Sequence, residues 1–262
     1  MAGRGAGSSA PVLTVRRLRL EIAERILCPD LDFEVHAGES WAILGRNGAG
    51  KTTLLHTLAG LRAPRQGTVE LGGRALPELA PRELALARGL LEQTSFDAFS
   101  STALEVALAG RHPHLSRWGW ESASDEAAAW SALRAVGLAE CADRDALTLS
   151  GGERRRLALA TLLAQDPPLL LLDEPTASLD LHHQVAVLDL LRQLREQGRT
   201  LVMVLHDLTL AARYCDHVVL LDGEATRTGR ARDLLTPDHL AACFHHPIRE
   251  VTGDGLRAFV PG

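Results

Sequence analysis

A chain of 262 residues is long enough for one large domain, or for a core with a subdomain, and can bury a sizeable apolar core. Hydrophobic residues make up 46%, charged residues 23% and aromatic residues 4%, which excludes disordered and collagen-like chains and predicts a mostly aliphatic core. The 28 Lys and Arg residues against 33 Asp and Glu residues give a net charge of -5, which argues against nucleic acid as a partner.

No segment of the sequence has the pattern of a signal peptide or a membrane span. Residues 1–10 are rich in Gly, Ser and Ala, lack an apolar stretch and are expected to form a flexible tail. The longest apolar runs, 169–172 and 201–205, are far shorter than the roughly 20 residues that cross a bilayer. The four cysteines form no C-x-x-C pair, which predicts free thiols. We expect a soluble chain that relies on another polypeptide for any membrane-spanning part.

Short apolar runs alternate with helical periodicity along the chain. The run WAIL (41–44) precedes TTLLHTLAGL, LLLL (169–172) precedes LHHQVAVLDLLRQLREQG, and LVMVLHD precedes LTLAARYC. This order predicts mostly parallel strands covered by helices. Gly60 and Gly198 stand where glycines end helices. In residues 94–165, Ala and Leu recur at helical spacing without a clear strand, which predicts an inserted helical subdomain.

A phosphate-binding pattern, G-x-x-x-x-G-K-[ST], occupies residues 45–52 between the predicted strand 41–44 and a predicted helix. The glycines let successive backbone N–H groups face phosphate oxygens, and the helix N-terminus adds its partial positive charge. Lys51, the only lysine in the chain, reaches the β- and γ-phosphates, and the Thr52 hydroxyl coordinates Mg²⁺. The alternative is a glycine-rich turn that matches by accident. The residues predicted to bind the nucleotide here are Gly45, Arg46, Asn47, Gly48, Ala49, Gly50, Lys51, Thr52 and Thr53.

The apolar run 169–172 ends in two carboxylates, Asp173 and Glu174. Such a run is typical of a buried parallel strand whose carboxyl end carries chemistry. Because side chains alternate along a strand, the two carboxylates are expected to point in opposite directions. We assign Asp173 to Mg²⁺ and Glu174 to the attacking water as its general base. The alternative is a pair of solvated acids at the end of a strand.

A third motif, L-S-G-G-E at 149–153, lies between these two and resembles the signature of the ATP-binding cassette (ABC) ATPases. Three further features occur in the order found in that family: Gln93 before the signature, then Ser-Leu-Asp at 178–180 and His206 after it. The likeness extends from about residue 12 to residue 229. The resemblance implies an α/β fold: a P-loop NTPase core with a RecA-like, mostly parallel sheet, an antiparallel β subdomain and an inserted α-helical subdomain. The predicted segments are the tail (1–10), the first part of the nucleotide-binding core (11–93), the helical subdomain with the signature (94–165), the second part of the core (166–235) and a C-terminal extension (236–262).

The resemblance also implies roles in hydrolysis. Gln93 would lie near Mg²⁺ and sense a membrane partner, and His206 would donate a hydrogen bond to the γ-phosphate. Both would join Glu174 as catalytic residues. Thr52, Gln93 and Asp173 would then form the metal site, and the cofactors would be ATP and Mg²⁺.

Further roles follow from the signature. Ser150, Gly151 and Gly152 open a helix and would meet the γ-phosphate bound by the opposite subunit. Because one chain has one phosphate loop and one signature, the resemblance implies a head-to-tail dimer with a second copy, with Asp180 near the dimer seam. The arginines 154–156 are interpreted as the polar face of the signature helix, with contact to the partner chain as the alternative.

Two features of the sequence leave alternatives open. The family usually places an aromatic residue before the phosphate loop to stack on adenine, and the neighbourhood of Ile22 has none. Ile22 is expected to offer an apolar shelf instead, which leaves selectivity between ATP and GTP open. In the stretch 112–120, Trp118 and Trp120 are interpreted as subdomain contacts, and a wall that contacts a permease is the alternative.

The resemblance implies the ATP-hydrolysing subunit of an importer. The segments 102–114, LSGGERRR and SLDLHHQ resemble the importer branch that serves ferric siderophores, haem and cobalamin. Its partners would be a second copy of itself, an integral membrane permease dimer and, indirectly, a periplasmic binding protein, with no nucleic acid. Its location would be peripheral, at the cytoplasmic face of the inner membrane. The alternative is a soluble ABC ATPase acting in cofactor or cluster assembly or on nucleic acid.

Overall fold

A six-stranded sheet lies at the centre of the computed structural model, which describes residues 10–22, 25–93, 100–116, 119–223, 225–253 and 256–262. The tail residues 1–9 and Trp118, both named in the sequence analysis, lie outside the described residues. Five neighbouring strands run parallel, and the sixth pairs antiparallel at one edge. In spatial order the strands are β11 (Thr226–Arg230), β10 (His217–Leu221), β4 (Ser40–Gly45), β9 (Thr200–Val204), β8 (Leu169–Asp173) and β7 (Arg88–Leu91).

The central strands are buried on both faces, which explains why their sequences are continuous apolar runs. Along β4, Trp41 and Ile43 belong to one apolar cluster, whereas Ala42 and Leu44 belong to the other. All five residues of β8 are buried. The alternating side chains of each strand therefore contribute to two core layers, one on each side of the sheet.

A second, antiparallel sheet covers one face of the first, together with the helix that follows the phosphate loop. The antiparallel strands and this helix pack in one apolar cluster with the side chains from one face of the parallel strands. Phe33 is buried in that cluster. The predicted antiparallel subdomain is thus confirmed. Its elements are β1 (Leu13–Ile22), β2 (Arg25–Cys28), β3 (Phe33–Val35), β5 (Gln66–Leu71) and β6 (Arg74–Ala75), and the covering helix is α1 (Lys51–Leu58).

The opposite face carries the other large helices and the helical subdomain. Gly60 and Gly198 follow two helices with φ of 76° and 95°, the left-handed conformation in which glycine ends a helix. No described residue of 94–165 belongs to a strand, and only Thr102 and Asp145 form an isolated bridge. The helices of the chain beyond α1 are α2 (Pro81–Ala87), α3 (Ala103–Ala109), α4 (Ala123–Ala135), α5 (Gly151–Gln165), α6 (Leu181–Glu196), α7 (Leu208–Tyr214), α8 (Ala231–Leu234) and α9 (Pro237–Phe244).

The C-terminal residues form a hairpin of β12 (Ile248–Gly253) and β13 (Leu256–Pro261), which contacts α7. Thr209 Oγ1 accepts a hydrogen bond from the Phe259 N–H at 3.2 Å, and Arg257 Nη2 donates to the Leu235 carbonyl at 2.7 Å. Within the described part of the chain, no helix combines the length and the apolar character needed to cross a bilayer. All four cysteines are free.

An ion pair joins α4 to the end of α3. Arg111 Nε donates to Asp125 Oδ1 at 2.9 Å, and the Ser122 hydroxyl and N–H donate to Asp125 Oδ2 at 2.6 and 3.0 Å. These bonds, those from Ser122 first, lower the pKa of the Asp125 carboxyl from 3.8 to about 2. The folded state therefore favours the carboxylate, and its stabilisation is present above about pH 4 and lost as the pH falls towards 2.

We expect Asp125→Asn to lower the melting temperature by a few degrees at pH 7, because the charge-assisted bonds to Arg111 and Ser122 are lost. The difference in melting temperature between the variant and the unmodified protein should become smaller as the pH falls from 4 to 2. Thermal and urea unfolding across this pH range measures both effects. Glu126→Gln, an exposed acid in the same helical turn, is the control. An equal loss of stability in both variants would contradict this account.

Candidate nucleotide site

Four segments that carry predicted site residues meet at one edge of the central sheet. The phosphate loop follows β4, Gln93 follows β7, Asp173 and Glu174 stand at the end of β8, and His206 follows β9. These four strands run parallel, so their carboxyl ends lie at the same edge. The sequence predicted each segment separately, and the strand order brings them together.

The phosphate loop wraps tightly between β4 and α1. Gly45, Gly48 and Gly50 have φ of 156°, 76° and 100°, values that side chains rarely adopt, and a Cβ on Gly45 would overlap the Leu221 carbonyl oxygen. Lys51 Nζ donates to the Gly45 and Arg46 carbonyls at 2.9 and 3.1 Å. Burial lowers the pKa of the Lys51 ammonium, and nearby carboxylates oppose that shift. The loop thus offers backbone N–H groups and one enclosed cation to an anion.

An open cleft of about 400 Å³ borders the loop. Ile22 lies at its wall with 39% of its surface exposed, as expected for an apolar shelf. Sequence analysis missed Arg25 and Leu27, which reach the cleft because the β1–β2 hairpin pairs Ile22 with Arg25. No aromatic residue lines this cleft in the described part of the chain. Its lining residues are Ile22, Arg25, Leu27, Asn47, Gly48, Gly50, Lys51, Thr52, Thr53, Gln93, Glu174 and His206.

Asp173 is a fully buried carboxylate close to the Thr52 hydroxyl. Its exposed fraction is 0%, and neither carboxylate oxygen has a partner within hydrogen-bonding geometry among the described residues. Burial raises the pKa of the Asp173 carboxyl, while the Thr52 hydroxyl opposes the shift. Unsatisfied buried carboxylate oxygens beside a hydroxyl suit a small hard cation, because such cations prefer oxygen ligands. Thr52 and Asp173 therefore fit the predicted magnesium site.

Glu174 accepts bonds from two neighbours on one carboxylate oxygen. Gln93 Nε2 donates to Glu174 Oε1 at 3.2 Å, and His206 Nε2 lies 2.6 Å from the same oxygen. Glu174 is outside β8, and its φ of 50° is left-handed. The prediction that strand alternation sets the direction of the Glu174 side chain is thus wrong. The strand ends at Asp173, and the backbone turn at Glu174 sets that direction instead. The site brings together the three predicted catalytic residues.

The signature residues lie apart from this cleft. The Ser150 hydroxyl accepts the Glu153 N–H at 3.2 Å and caps α5, which begins at Gly151. Asp180 caps α6 and contacts His183 Nδ1 at 2.9 Å, and the hydrogen bonds from His183 lower the pKa of the Asp180 carboxyl. Among the described residues, none of the signature or Asp180 lines the cleft. Their proposed contacts with a second copy stay predictions.

Comparison with known proteins identifies the family of this chain. Residues 28–177 match the family model described as ABC transporter. This chain belongs to the ABC transporter family. The match begins in β2 and includes the phosphate loop, Gln93, the signature and the acidic pair. The family and the fold predicted from the sequence are confirmed.

Individual relatives agree over most of the chain. The hemin import ATP-binding protein HmuV of Nocardia farcinica is 46% identical over 227 residues, covering 86% of this chain and 78% of that protein. The cobalamin import ATP-binding protein BtuD of Halobacterium salinarum is 41% identical over 88% of this chain, but the chain spans only 58% of its length. A solved structure described as an inward-facing, metal-chelate type ABC transporter aligns with TM-score 0.85 and 30% identity, covering 97% of this chain and 98% of that one.

We expect Asp173→Asn to stabilise the chain in the absence of nucleotide, because a neutral amide costs less to bury than a carboxylate that has no partner among the described residues. The melting temperature should rise by about 2–4 °C, the shift that about 1 kcal/mol produces in a chain of this size. Calorimetry in EDTA measures it. Glu174→Gln is the matched control, because Glu174 already has hydrogen-bond partners and should give no such rise. A lower melting temperature for Asp173→Asn would contradict the cost assigned to this carboxylate.

Proposed function

We propose that this chain is the ATP-hydrolysing subunit of an importer that takes up a metal chelate through a separate permease. The observation that carries hydrolysis is the group of Glu174, Gln93 and His206 beside the phosphate loop. One carboxylate oxygen of Glu174 is held by two neighbours, and the other is left to accept a proton from water. Binding and water activation thus use different groups of one site.

The binding groups divide between the phosphates and a metal ion. Backbone N–H groups of residues 45–50 and the Lys51 ammonium hold the β- and γ-phosphates. Thr52, Gln93 and Asp173 would hold Mg²⁺, which would supply positive charge to stabilise the phosphates. His206, whose Nε2 contacts Glu174 in the structure, would turn its N–H to the γ-phosphate when the nucleotide is bound. Ile22 supports the base, and no aromatic residue lines the cleft in the described part of the chain, so nucleotide affinity rests on the phosphate groups more than on the base.

Two copies of the chain form the working unit in this proposal. Ser150, Gly151 and Gly152 of one copy meet the γ-phosphate in the other, and Asp180 lies near the seam. The support is geometric: Ser150 and Gly151 are exposed at the start of α5, and no signature residue lines the cleft of its own chain within the described residues. A helix N-terminus with an available hydroxyl is suited to an anion.

The cargo class rests on the relatives, two of which are named for hemin and cobalamin import. We include ferric siderophores in this cargo class because the sequence resembles the importer branch that also serves them. The chain would act as a peripheral subunit at the cytoplasmic face of the inner membrane, with a permease dimer and, indirectly, a periplasmic binding protein. The alternative, a soluble ABC ATPase in cluster assembly or on nucleic acid, is not favoured by these names.

We propose that the permease contacts the surface around Gln93 and residues 112–120. This surface includes a groove of about 730 Å³. Trp120 beside it is 90% exposed, so the interpretation of Trp120 as a subdomain contact is wrong. Arg82 Nε, on α2, donates to the Pro113 carbonyl at 2.9 Å and so joins the two segments that line the groove. The groove is lined by Pro81, Arg82, Ala85, His112, Pro113, Leu115, Ser116 and Gly119.

Glu174→Gln should lower ATP hydrolysis by about 10²–10⁴-fold, because the amide cannot accept the water proton. ATP affinity should be unchanged, since it rests on Lys51 and the loop. Steady-state turnover measures the first effect, and size-exclusion chromatography with ATP and Mg²⁺ should show a trapped dimer. Glu196→Gln, an exposed acid on α6, is the control. Turnover equal to the unmodified chain would remove Glu174 from this role.

Deletion of the gene should abolish growth on one metal chelate as the sole source of iron or cobalamin. The unmodified gene should restore growth, and Glu174→Gln should not, because transport requires hydrolysis. Trp120→Ala should reduce uptake while basal hydrolysis persists, since Trp120 lies on the proposed permease surface. Uptake of radiolabelled chelate and ATPase assays measure these outcomes. Normal growth on every chelate, with loss of an amino acid or sugar instead, would contradict the proposed cargo.

A further inference from the structure

Arg155 is a buried arginine on the signature helix. It lies between Arg154, which is exposed, and Arg156, which is half-buried. Only 7% of Arg155 is exposed, so its interpretation as part of a polar face is wrong. Burial lowers the pKa of its guanidinium, and the charges of Asp173 and Glu174 oppose that shift. A buried cation needs several strong partners to offset its lost hydration.

Those partners are four backbone carbonyls from two segments of the nucleotide site. Arg155 Nη1 donates to the carbonyls of Glu92 and, at 3.3 Å, Gln93. Arg155 Nη2 donates to the carbonyls of Asp173 and, at 2.9 Å, Glu174. The planar guanidinium presents its donors in a fixed fork, so it sets the distance between the two segments as well as joining them.

The carbonyl of Glu174 belongs to a residue in a costly conformation. A left-handed φ is costly for a non-glycine residue and persists only where neighbours impose it. At Glu174 the Val204 carbonyl accepts the backbone N–H at 3.2 Å, and the Glu174 carbonyl accepts bonds from the Ala177 N–H at 3.0 Å and from Arg155 at 2.9 Å. Of these three neighbours, only Arg155 binds through its side chain. The direction of the Glu174 side chain depends on this turn. Arg155 therefore supports the backbone that aims the carboxylate.

The same guanidinium also holds the residue that donates to this carboxylate. Gln93 Nε2 binds Glu174 Oε1, and Arg155 binds the backbone carbonyls of both residues. We propose that Arg155 is a positioning residue for hydrolysis, which fixes Gln93 and Glu174 relative to each other from the signature helix of their own chain. The inference rests on the proposed ATP hydrolysis. Arg155 itself neither lines the cleft nor bonds to the phosphate loop among the described contacts.

Arg156 provides a matched control one residue further along the helix. Arg156 Nη1 donates to the Val136 and Gly137 carbonyls at 2.9 and 3.2 Å, at the end of α4. Its bonds are of the same guanidinium-to-carbonyl kind, but all of them remain inside the helical subdomain. Arg156→Gln therefore measures the structural cost of losing such bonds without disturbing Gln93 or Glu174.

The test compares Arg155→Gln, Arg155→Lys and Arg156→Gln in the full chain. Arg155→Gln should lower kcat at least tenfold and change the Kd for ATP, measured by titration calorimetry in EDTA, less than twofold. Arg155→Lys should give an intermediate kcat, because one ammonium cannot span both segments. Arg156→Gln should keep kcat within twofold even where its melting temperature falls. Thermal unfolding confirms that each variant is folded at the assay temperature.

A further measurement separates positioning from general loosening of the fold. In single-turnover experiments, Arg155→Gln combined with Glu174→Gln should be no slower than Glu174→Gln alone, because the group being positioned is already lost. An unchanged kcat in Arg155→Lys, or equal losses of kcat in Arg155→Gln and Arg156→Gln, would overturn the inference. If the unmodified chain has no ATPase activity, the proposed function fails and the inference fails with it.

Discussion

The parallel order of β4, β9, β8 and β7 is the constraint on which the site depends. Each strand end supplies one part: the phosphate loop, His206, the acidic pair and Gln93. Parallel strands place their carboxyl ends at one edge, so groups separated by more than 100 positions in sequence meet without any local signal. The burial of these strands on both faces fixes their order and hence the arrangement of the chemical groups.

Three of the four charged side chains that are buried in the described part of the chain lie at this site. Lys51, Asp173 and Arg155 are each less than 10% exposed, and the charges of Asp173 and Glu174 oppose the effect of burial on the pKa of both cations. Lys51 and Arg155 donate to backbone carbonyls, but Arg155 Nε and both Asp173 oxygens have no hydrogen-bond partner among the described residues. Burial of these charges costs stability, which the carbonyl bonds of the two cations offset in part, whereas the Asp173 oxygens are the ones that we assign to a metal ion.

Local patterns in the sequence were enough to predict the strand–helix order, the phosphate loop and the identity of the acidic pair, because each depends on neighbours in sequence. The role of Arg155 was not predictable, since a run of three arginines on a helix gives no sign of which one faces carbonyls from β7 and β8. Arg25 reaches the cleft only through its pairing with Ile22. The turn at Glu174 was missed because strand alternation was extended one residue too far.

The signature helix has contacts of two kinds along a short length. Ser150 and Gly151 are exposed at its start, and neither lines the cleft of its own chain in the described residues. Five residues after Ser150, about 7.5 Å along the helix axis, Arg155 binds the backbone carbonyls of Gln93 and Glu174, which both line that cleft. One helix thus carries the residues that we propose meet a second copy and the side chain that we propose positions Gln93 and Glu174, and no loop lies between them.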